Sequence, residues 1–300
     1  MMTKFHSPVL LNEAIQGLKI SPKGVYIDAT FGGGGHSKAI LEMLNKEGRL
    51  LSFDQDEDTY ENKINDSRFK FISANFNHLS QYLKYYGVES VDGVLADLGV
   101  SSHHFDTASR GFSIRKKGRL DMRMNQNQKL DAHYVVNNYE EKDLNNLLFN
   151  YGEVRNSKKI SKQILSLRDK RVINTTTDLV ELLKPLTPFK YQKKILAQIF
   201  QAIRIEVNNE IEVLKSFLEQ ATKSLKTGGR IVCISYHSIE DRCVKRYIQF
   251  GNFEGKDEKD FYGNSLRVLR KIGKVVVPSE KEIKINKRAR SAKMRIAEKI

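Results

Sequence analysis

The chain is predicted to be an α/β protein: a doubly wound parallel sheet interrupted by an inserted all-helical domain. Three observations carry this. Short apolar runs that end in acids alternate with helical periods as far as Asp97. From about residue 104 to about 207 that rhythm gives way to loop material and helical stripes, with no convincing strand. Strand chemistry then resumes at Ile231-Val232-Cys233-Ile234-Ser235.

Taken in order, Leu10, Leu11, Ala14, Ile15 and Leu18 recur at helical spacing within residues 8–18. A strand over 25–28, a helix over 36–46 and a strand over 50–54 follow, then a short strand near Phe69-Phe71-Ile72. Val91-Asp92-Gly93-Val94-Leu95-Ala96 is the next strand, ending at Asp97. In the insert, one stripe joins Leu144, Leu147, Leu148 and Tyr151; a second joins Leu179, Leu182 and Leu183. Ile195, Ile199, Ala202 and Ile203 make a third. A helix carrying Ile211, Leu214, Phe217, Leu218, Ala221 and Leu225 is expected to stop at Gly228-Gly229. Gly251 to Gly263 reads as a polar loop and Val275-Val276-Val277 as a last strand. The basic stretch from Lys284 to Arg295 fits either a solvated tail or a phosphate-binding arm. The expected domains are therefore a discontinuous 1–104 and 208–300, with 105–207 inserted.

Composition narrows the class. Lys and Arg number 51 against 36 Asp and Glu, a formal charge of +15. Such an excess points to a polyanionic partner, usually nucleic acid, although a solvated basic surface gives the same count. Two cysteines, Cys233 and Cys243, exclude a disulfide framework and a four-ligand zinc site, and no metal is expected. The N-terminus lacks the apolar core of a signal peptide, and no apolar run approaches the ~18 residues that span a bilayer. A cytoplasmic protein with no membrane partner is the expectation.

The chemistry concentrates where Val25-Tyr26-Ile27-Asp28 empties through Ala29-Thr30-Phe31 into Gly32-Gly33-Gly34-Gly35-His36-Ser37. Glycines there let backbone N–H groups approach a ligand closely. Asp54, twenty residues beyond Gly34, ends the second strand, where an acid is placed to bind a ribose hydroxyl. No Lys-Ser or Lys-Thr follows the glycines, so a triphosphate-binding loop is excluded. NAD, FAD and S-adenosylmethionine all present an adenosine ribose. Asp28, four residues before Gly32, would repel a pyrophosphate and suits a cationic ligand, which favours S-adenosylmethionine.

Further blocks give a closer match: His6-Ser7-Pro8-Val9-Leu10-Leu11, Asp97-Leu98-Gly99-Val100-Ser101-Ser102, Arg110-Gly111-Phe112-Ser113 and Leu120-Asp121-Met122-Arg123-Met124. Phe200-Gln201-Ala202-Ile203-Arg204-Ile205, the run from Ile234 to Arg242, and Arg288-Ala289-Arg290-Ser291-Ala292-Lys293 complete the series. With these blocks in this order, the chain resembles the bacterial 16S ribosomal RNA cytosine-N4 methyltransferases. The resemblance implies a class I (Rossmann-like) methyltransferase sheet, S-adenosylmethionine as cofactor, and 16S rRNA of the small ribosomal subunit as partner. The reaction it implies is methyl transfer to N4 of a decoding-region cytidine. The family's cofactor positions fall on Gly34, Gly35, His36, Asp54, Phe76 and Asp97; a further one, usually Gln, is His104 here. The usual Ser-Ser-Pro-Gln reads Ser101-Ser102-His103-His104, and Ile195-Leu196-Ala197-Gln198-Ile199 stands where Pro-Ala-x-Arg is often found.

The lone pair of cytosine N4 is delocalised into the ring, so a catalyst must hold N4 near the methyl group and accept its hydrogens. Asp97 is the candidate catalytic residue; the alternative is that it binds cofactor only. His237, Asp241 and Arg242 follow a strand and fit either an RNA contact or a structural role. Between Asp106 and Met124, Arg110, Arg115, Lys116, Lys117, Arg119 and Arg123 alternate with Phe112, Met122 and Met124, as a phosphate-binding segment or an ordinary charged loop would. Two other functions stay open at this point: a nicotinamide-dependent oxidoreductase and a non-catalytic rRNA-binding assembly factor. So do the choice between naked rRNA and assembled subunit, and a homodimer.

Overall fold

The computed structural model describes residues 8–300. His6 and Ser7 of the first matched block, and the N-terminal segment read for a signal peptide, lie outside the described residues. Two compact units result: one runs to Gly99 and resumes over Ile211–Ile300, and the other spans Val100–Glu210. The expected insert, 105–207, is a few residues shorter than the second unit at each end.

Along the chain come α1 (Leu11–Leu18), β1 (Val25–Asp28), α2 (Gly35–Met43), β2 (Arg49–Asp54), β3 (Phe69–Ser73), α3 (Leu79–Tyr85) and β4 (Val91–Asp97). The second unit holds α4 (Ser102–Asp106), α5 (Ala132–Asn138), α6 (Glu141–Asn150), α7 (Ser157–Arg168), α8 (Thr176–Leu183) and α9 (Gln192–Asn208). The chain then returns through α10 (Glu210–Ser224), β5 (Leu225–Ser235), α11 (Ser238–Phe250), β6 (Leu269–Val276), α12 (Glu280–Ile285) and β7 (Lys293–Lys299).

The described strands form one seven-stranded sheet in the order β3-β2-β1-β4-β5-β7-β6. β3 to β5 are parallel, and β7 runs antiparallel to both β5 and β6. Alternate side chains build two cores on the two faces. Ile27, Phe53, Val94 and Cys233 join the helices α3, α10 and α11. Tyr26, Leu50, Leu95 and Val232 join α1 and α2. Burial on both faces is why β1, β2 and β4 read as continuous apolar runs. Cys233 and Cys243 are free, buried thiols, and burial pushes each up to about 12.

The C-terminal expectation is corrected. Lys284 to Arg295 is not a loose tail: α12 and a 3-10 turn over Lys287–Ser291 lead into β7, which inserts between β5 and β6. Lys284, Lys287, Arg288 and Arg290 are exposed, whereas charges of β7 itself are paired. Arg295 Nε donates to Asp241 Oδ1 at 2.7 Å, and Glu298 accepts from Arg230 and Arg270 at 3.2 and 2.6 Å. The strand expected at Val275-Val276-Val277 is the end of β6 and is not the last. Leu225 opens β5 rather than closing α10, because it pairs with Val91 of β4.

The helical unit packs Leu144, Leu147 and Leu148 of α6, Leu179 and Leu183 of α8, and Ile199, Ala202 and Ile203 of α9 into its own core. Its helices start on side-chain caps where the sequence supplies them: Asp131 for α5, and a Thr175–Asp178 capping box for α8.

Candidate cofactor and active site

Parallel register brings the acid-bearing strand ends to one edge of the sheet. Asp28 lies opposite Ser52 and Leu95, Asp54 opposite Ser73, and Asp97 opposite Ile234. Ligands of open α/β sheets bind beyond that edge. After β1 the chain stays tied to its neighbours, with Ala29 N–H donating to Leu95 O and Phe31 N–H to Phe53 O. It then reverses through Gly32 (φ +50°) and Gly34 (φ +74°), a left-handed backbone that glycine adopts without strain. A Cβ on Gly32 would meet nothing within 4 Å, so this part of the turn is open to a ligand. A Cβ on Gly35 would fall 2.2 Å from Pro8 Cγ: that glycine lets the segment before α1 pack on the turn. The first N–H groups of α2, at Gly35 and His36, have no carbonyl one turn back to bond.

The three carboxylates differ in what they do. Asp28 is fully buried beneath the turn, where its Oδ1 accepts from Thr30 N–H at 3.1 Å and its Oδ2 from Ser37 Oγ at 2.6 Å. Both of its oxygens are thus engaged within the turn itself. Asp54 accepts Gly32 N–H on Oδ2 at 2.8 Å and Asp56 N–H on Oδ1 at 2.9 Å, clamping the turn to the end of β2. Asn62 Nδ2 donates to Gly32 O at 3.1 Å and steadies the same residue from its other side. Asp97 receives the Tyr236 hydroxyl on Oδ1 at 2.8 Å, and its N–H donates to Thr30 Oγ1 at 2.7 Å. Burial raises all three carboxyls above the ordinary range, Asp54 to about 6. The negative charge of Asp28 adds to the rise at both Asp54 and Asp97.

His36 is buried, with Nε2 3.1 Å from Val9 O. A carbonyl can only accept, so Nε2 carries the proton and Nδ1 is left facing Asp97 Oδ2 at 3.9 Å. Phe76 follows β3, half-buried and edge-on to Phe217 with ring centroids 5.0 Å apart. Asn75 Nδ2 donates to Gln55 Oε1 at 2.7 Å, which links this bend to the end of β2.

Gly34, Gly35, His36, Asp54, Phe76 and Asp97 thus belong to one set of neighbouring strand ends. His104 belongs to the helical unit, where its ring stacks on Phe112 at 4.7 Å and its Nε2 accepts from Arg110 at 3.2 Å. Arg110 is buried there and also donates to the carbonyls of Arg123 and Met124. Arg123 pairs with Asp121 and Arg119 with Asp131. Of the basic run, Arg115, Lys116, Lys117 and Arg119 are exposed. His237 caps α11, with Glu240 N–H directed at Nδ1, and Asp241 is held by Arg295.

Tyr236 is not among the residues expected from the sequence. Its ring lies where a Gly99 side chain would stand, 2.7 Å from an added Cβ, and its hydroxyl holds Asp97. The available signal was its position just past the end of β5, one strand over from Asp97.

This sheet order and glycine turn, edged by acids, define a Rossmann-like methyltransferase carrying an inserted helical unit. The model of the MraW methylase family matches residues 3–300, and the chain belongs to that family. It is 55% identical over 297 residues to the ribosomal RNA small subunit methyltransferase H of Flavobacterium johnsoniae, covering 99% of this chain and 98% of that protein. The proteins of the same name from Christiangramia forsetii and Phocaeicola vulgatus are each 53% identical. They cover 100% and 98% of this chain, and 99% and 97% of their own lengths.

Proposed function

We propose that the chain transfers a methyl group from S-adenosylmethionine to the exocyclic N4 of a cytidine in the decoding region of 16S rRNA, in the cytoplasm. The rRNA substrate is supported by the names of the relatives, and the N4 position by the ordered sequence blocks. One observation carries the donor: three acids, Asp28, Asp54 and Asp97, end neighbouring parallel strands around one glycine turn. A cationic nucleoside suits that cluster of acids, whereas the pyrophosphate of NAD does not.

The residues present fit such a donor. Asp54 retains lone pairs for the ribose hydroxyls, Phe76 offers a ring face for adenine, and the N–H groups of Gly35 and His36 suit a carboxylate. When bound, S-adenosylmethionine supplies a methyl group made electrophilic by its sulfonium. Asp97 accepts a hydrogen from N4 as the nitrogen pyramidalises, its raised proton affinity matching it to that task. Tyr236 and Thr30 hold Asp97 in place. In this reading the helical unit recognises the RNA, and the His104 ring supports Arg110 and Phe112 within it.

The test incubates the protein with small ribosomal subunits, or with naked 16S rRNA, and radiolabelled S-adenosylmethionine, followed by nucleoside mapping. Label in N4-methylcytidine is expected. Label on another nucleoside, or none on either substrate, overturns the reading.

A further inference from the structure

We propose that the Phe189–Lys194 segment of the helical unit is a stacking platform for the unpaired bases of a single-stranded RNA segment. The proposal rests on the reading above that the substrate is RNA. A 3-10 turn over Phe189–Tyr191 leads directly into α9. It leaves Phe189 93% exposed and Tyr191 53% exposed, outside the unit's core. The turn that carries them is anchored. Tyr191 N–H donates to Pro188 O at 2.9 Å, Gln192 Nε2 to Lys184 O at 3.2 Å, and buried Thr187 Oγ1 to Leu183 O at 3.2 Å. Two rings are therefore held in water on a supported turn.

The charge around the rings selects the partner. Between Leu182 and Ile205 the sequence has no Asp or Glu, while Lys184, Lys190, Lys193 and Lys194 are all exposed. Lys190 Nζ stands 5.5 Å from the Tyr191 ring centroid. A hollow of about 260 Å³ lined by Phe189, Lys190, Gln192 and Lys193 adjoins the exposed ring. Aromatic faces for bases, interleaved with cations for phosphates, are what a single strand requires. Exposure alone does not make such a platform. Phe261 and Tyr262, in the other unit, are 96% and 85% exposed, but Asp257, Glu258 and Asp260 precede them and would repel phosphate.

The experiment measures fluorescence anisotropy of a labelled oligouridylate with the full chain across a salt series. The double variant Phe189→Ala/Tyr191→Ala should bind at least about fivefold more weakly, with an unchanged salt slope. Lys190→Gln/Lys193→Gln/Lys194→Gln should lower the salt slope by about 0.7 for each phosphate left without its lysine. Phe261→Ala should bind as the native chain does, and unchanged melting in every variant confirms the fold. Native affinity in the aromatic double variant overturns the proposal, as does an equal loss in Phe261→Ala. Unchanged oligouridylate binding combined with lost co-sedimentation on small subunits would overturn it in favour of a protein partner. Binding is read without methyl transfer. A chain that binds through Phe189 and Tyr191 yet labels no cytidine keeps the platform and loses the proposed reaction.

Discussion

The Tyr236 hydroxyl donates to Asp97 Oδ1 at 2.8 Å while its ring fills the space beside Gly99, so the ends of β4 and β5 brace each other. Asp97 is only partly buried, with 20% of its side chain exposed, and so remains reachable. Tyr236→Phe keeps the ring and removes the donor. It should cost about 1–3 kcal/mol of stability and slow single-turnover methyl transfer while the fold survives. Denaturant unfolding and rapid-quench kinetics read the two effects. Native turnover in this variant would remove Tyr236 from the positioning of Asp97.

Gly99→Ala attacks the same brace from the other side. The new methyl would lie 2.7 Å from Tyr236 Cε2, and overpacking of this kind costs about 1–3 kcal/mol. Because both changes displace one contact, Gly99→Ala/Tyr236→Phe should lose less turnover than the two single losses combined. Full additivity would show that the residues act separately.

Asp54 sets a pH dependence whose sign follows from its raised carboxyl, at about 6 in the folded chain. The folded state holds this proton over a range in which the unfolded chain, with an ordinary value of about 3.9, has released it. Native stability relative to Asp54→Asn should therefore fall as pH rises from about 4 to about 6, and then level off. Donor affinity should run the other way and rise through pH 6, since the ionised carboxylate accepts the ribose hydroxyls. Melting curves and calorimetry across that range test both. Asp28 and Asp97 are raised as well, so Asp54→Asn should flatten the binding profile without abolishing its slope.

Asp241 and Arg295 join α11 to β7. Burial alone would raise the Asp241 carboxyl, but the Arg295 bonds and nearby Lys293 bring it below the ordinary range. Its contribution to stability is thus present above the ordinary carboxyl value and lost as pH falls through the lowered one. Among the described residues, Arg295→Met leaves that carboxylate with Lys293 at 3.5 Å. The expected cost at neutral pH is about 3–5 kcal/mol, measured by chemical denaturation. A loss below about 1 kcal/mol would class the pair with surface ion pairs.

How legible these features were depended on the range of the contacts involved. β1, β2 and β4 announced themselves because both faces are covered, and Asp54 and Asp97 stood out as acids closing apolar runs. β6 is an edge strand with most of its side chains in water, and β7 carries Arg295 and Glu298, whose partners Asp241, Arg230 and Arg270 lie far away in sequence, so neither gave a clean period. Tyr236 was hidden for the same reason: its partner is 139 residues earlier. The surroundings of His104 are local, yet a stacked ring and an arginine donor leave no pattern in composition.

The place of β7 between β5 and β6 has a consequence for how the protein is made. β7 follows all six other strands in the chain but supplies the pairing that attaches β6 to the sheet. Until it emerges from the ribosome, β5 presents an open edge and β6 has no neighbour. Such an edge is a template for pairing with another chain. A nascent chain stalled before Lys293 should therefore be held by chaperones or aggregate, even with the glycine turn and its acids already synthesised.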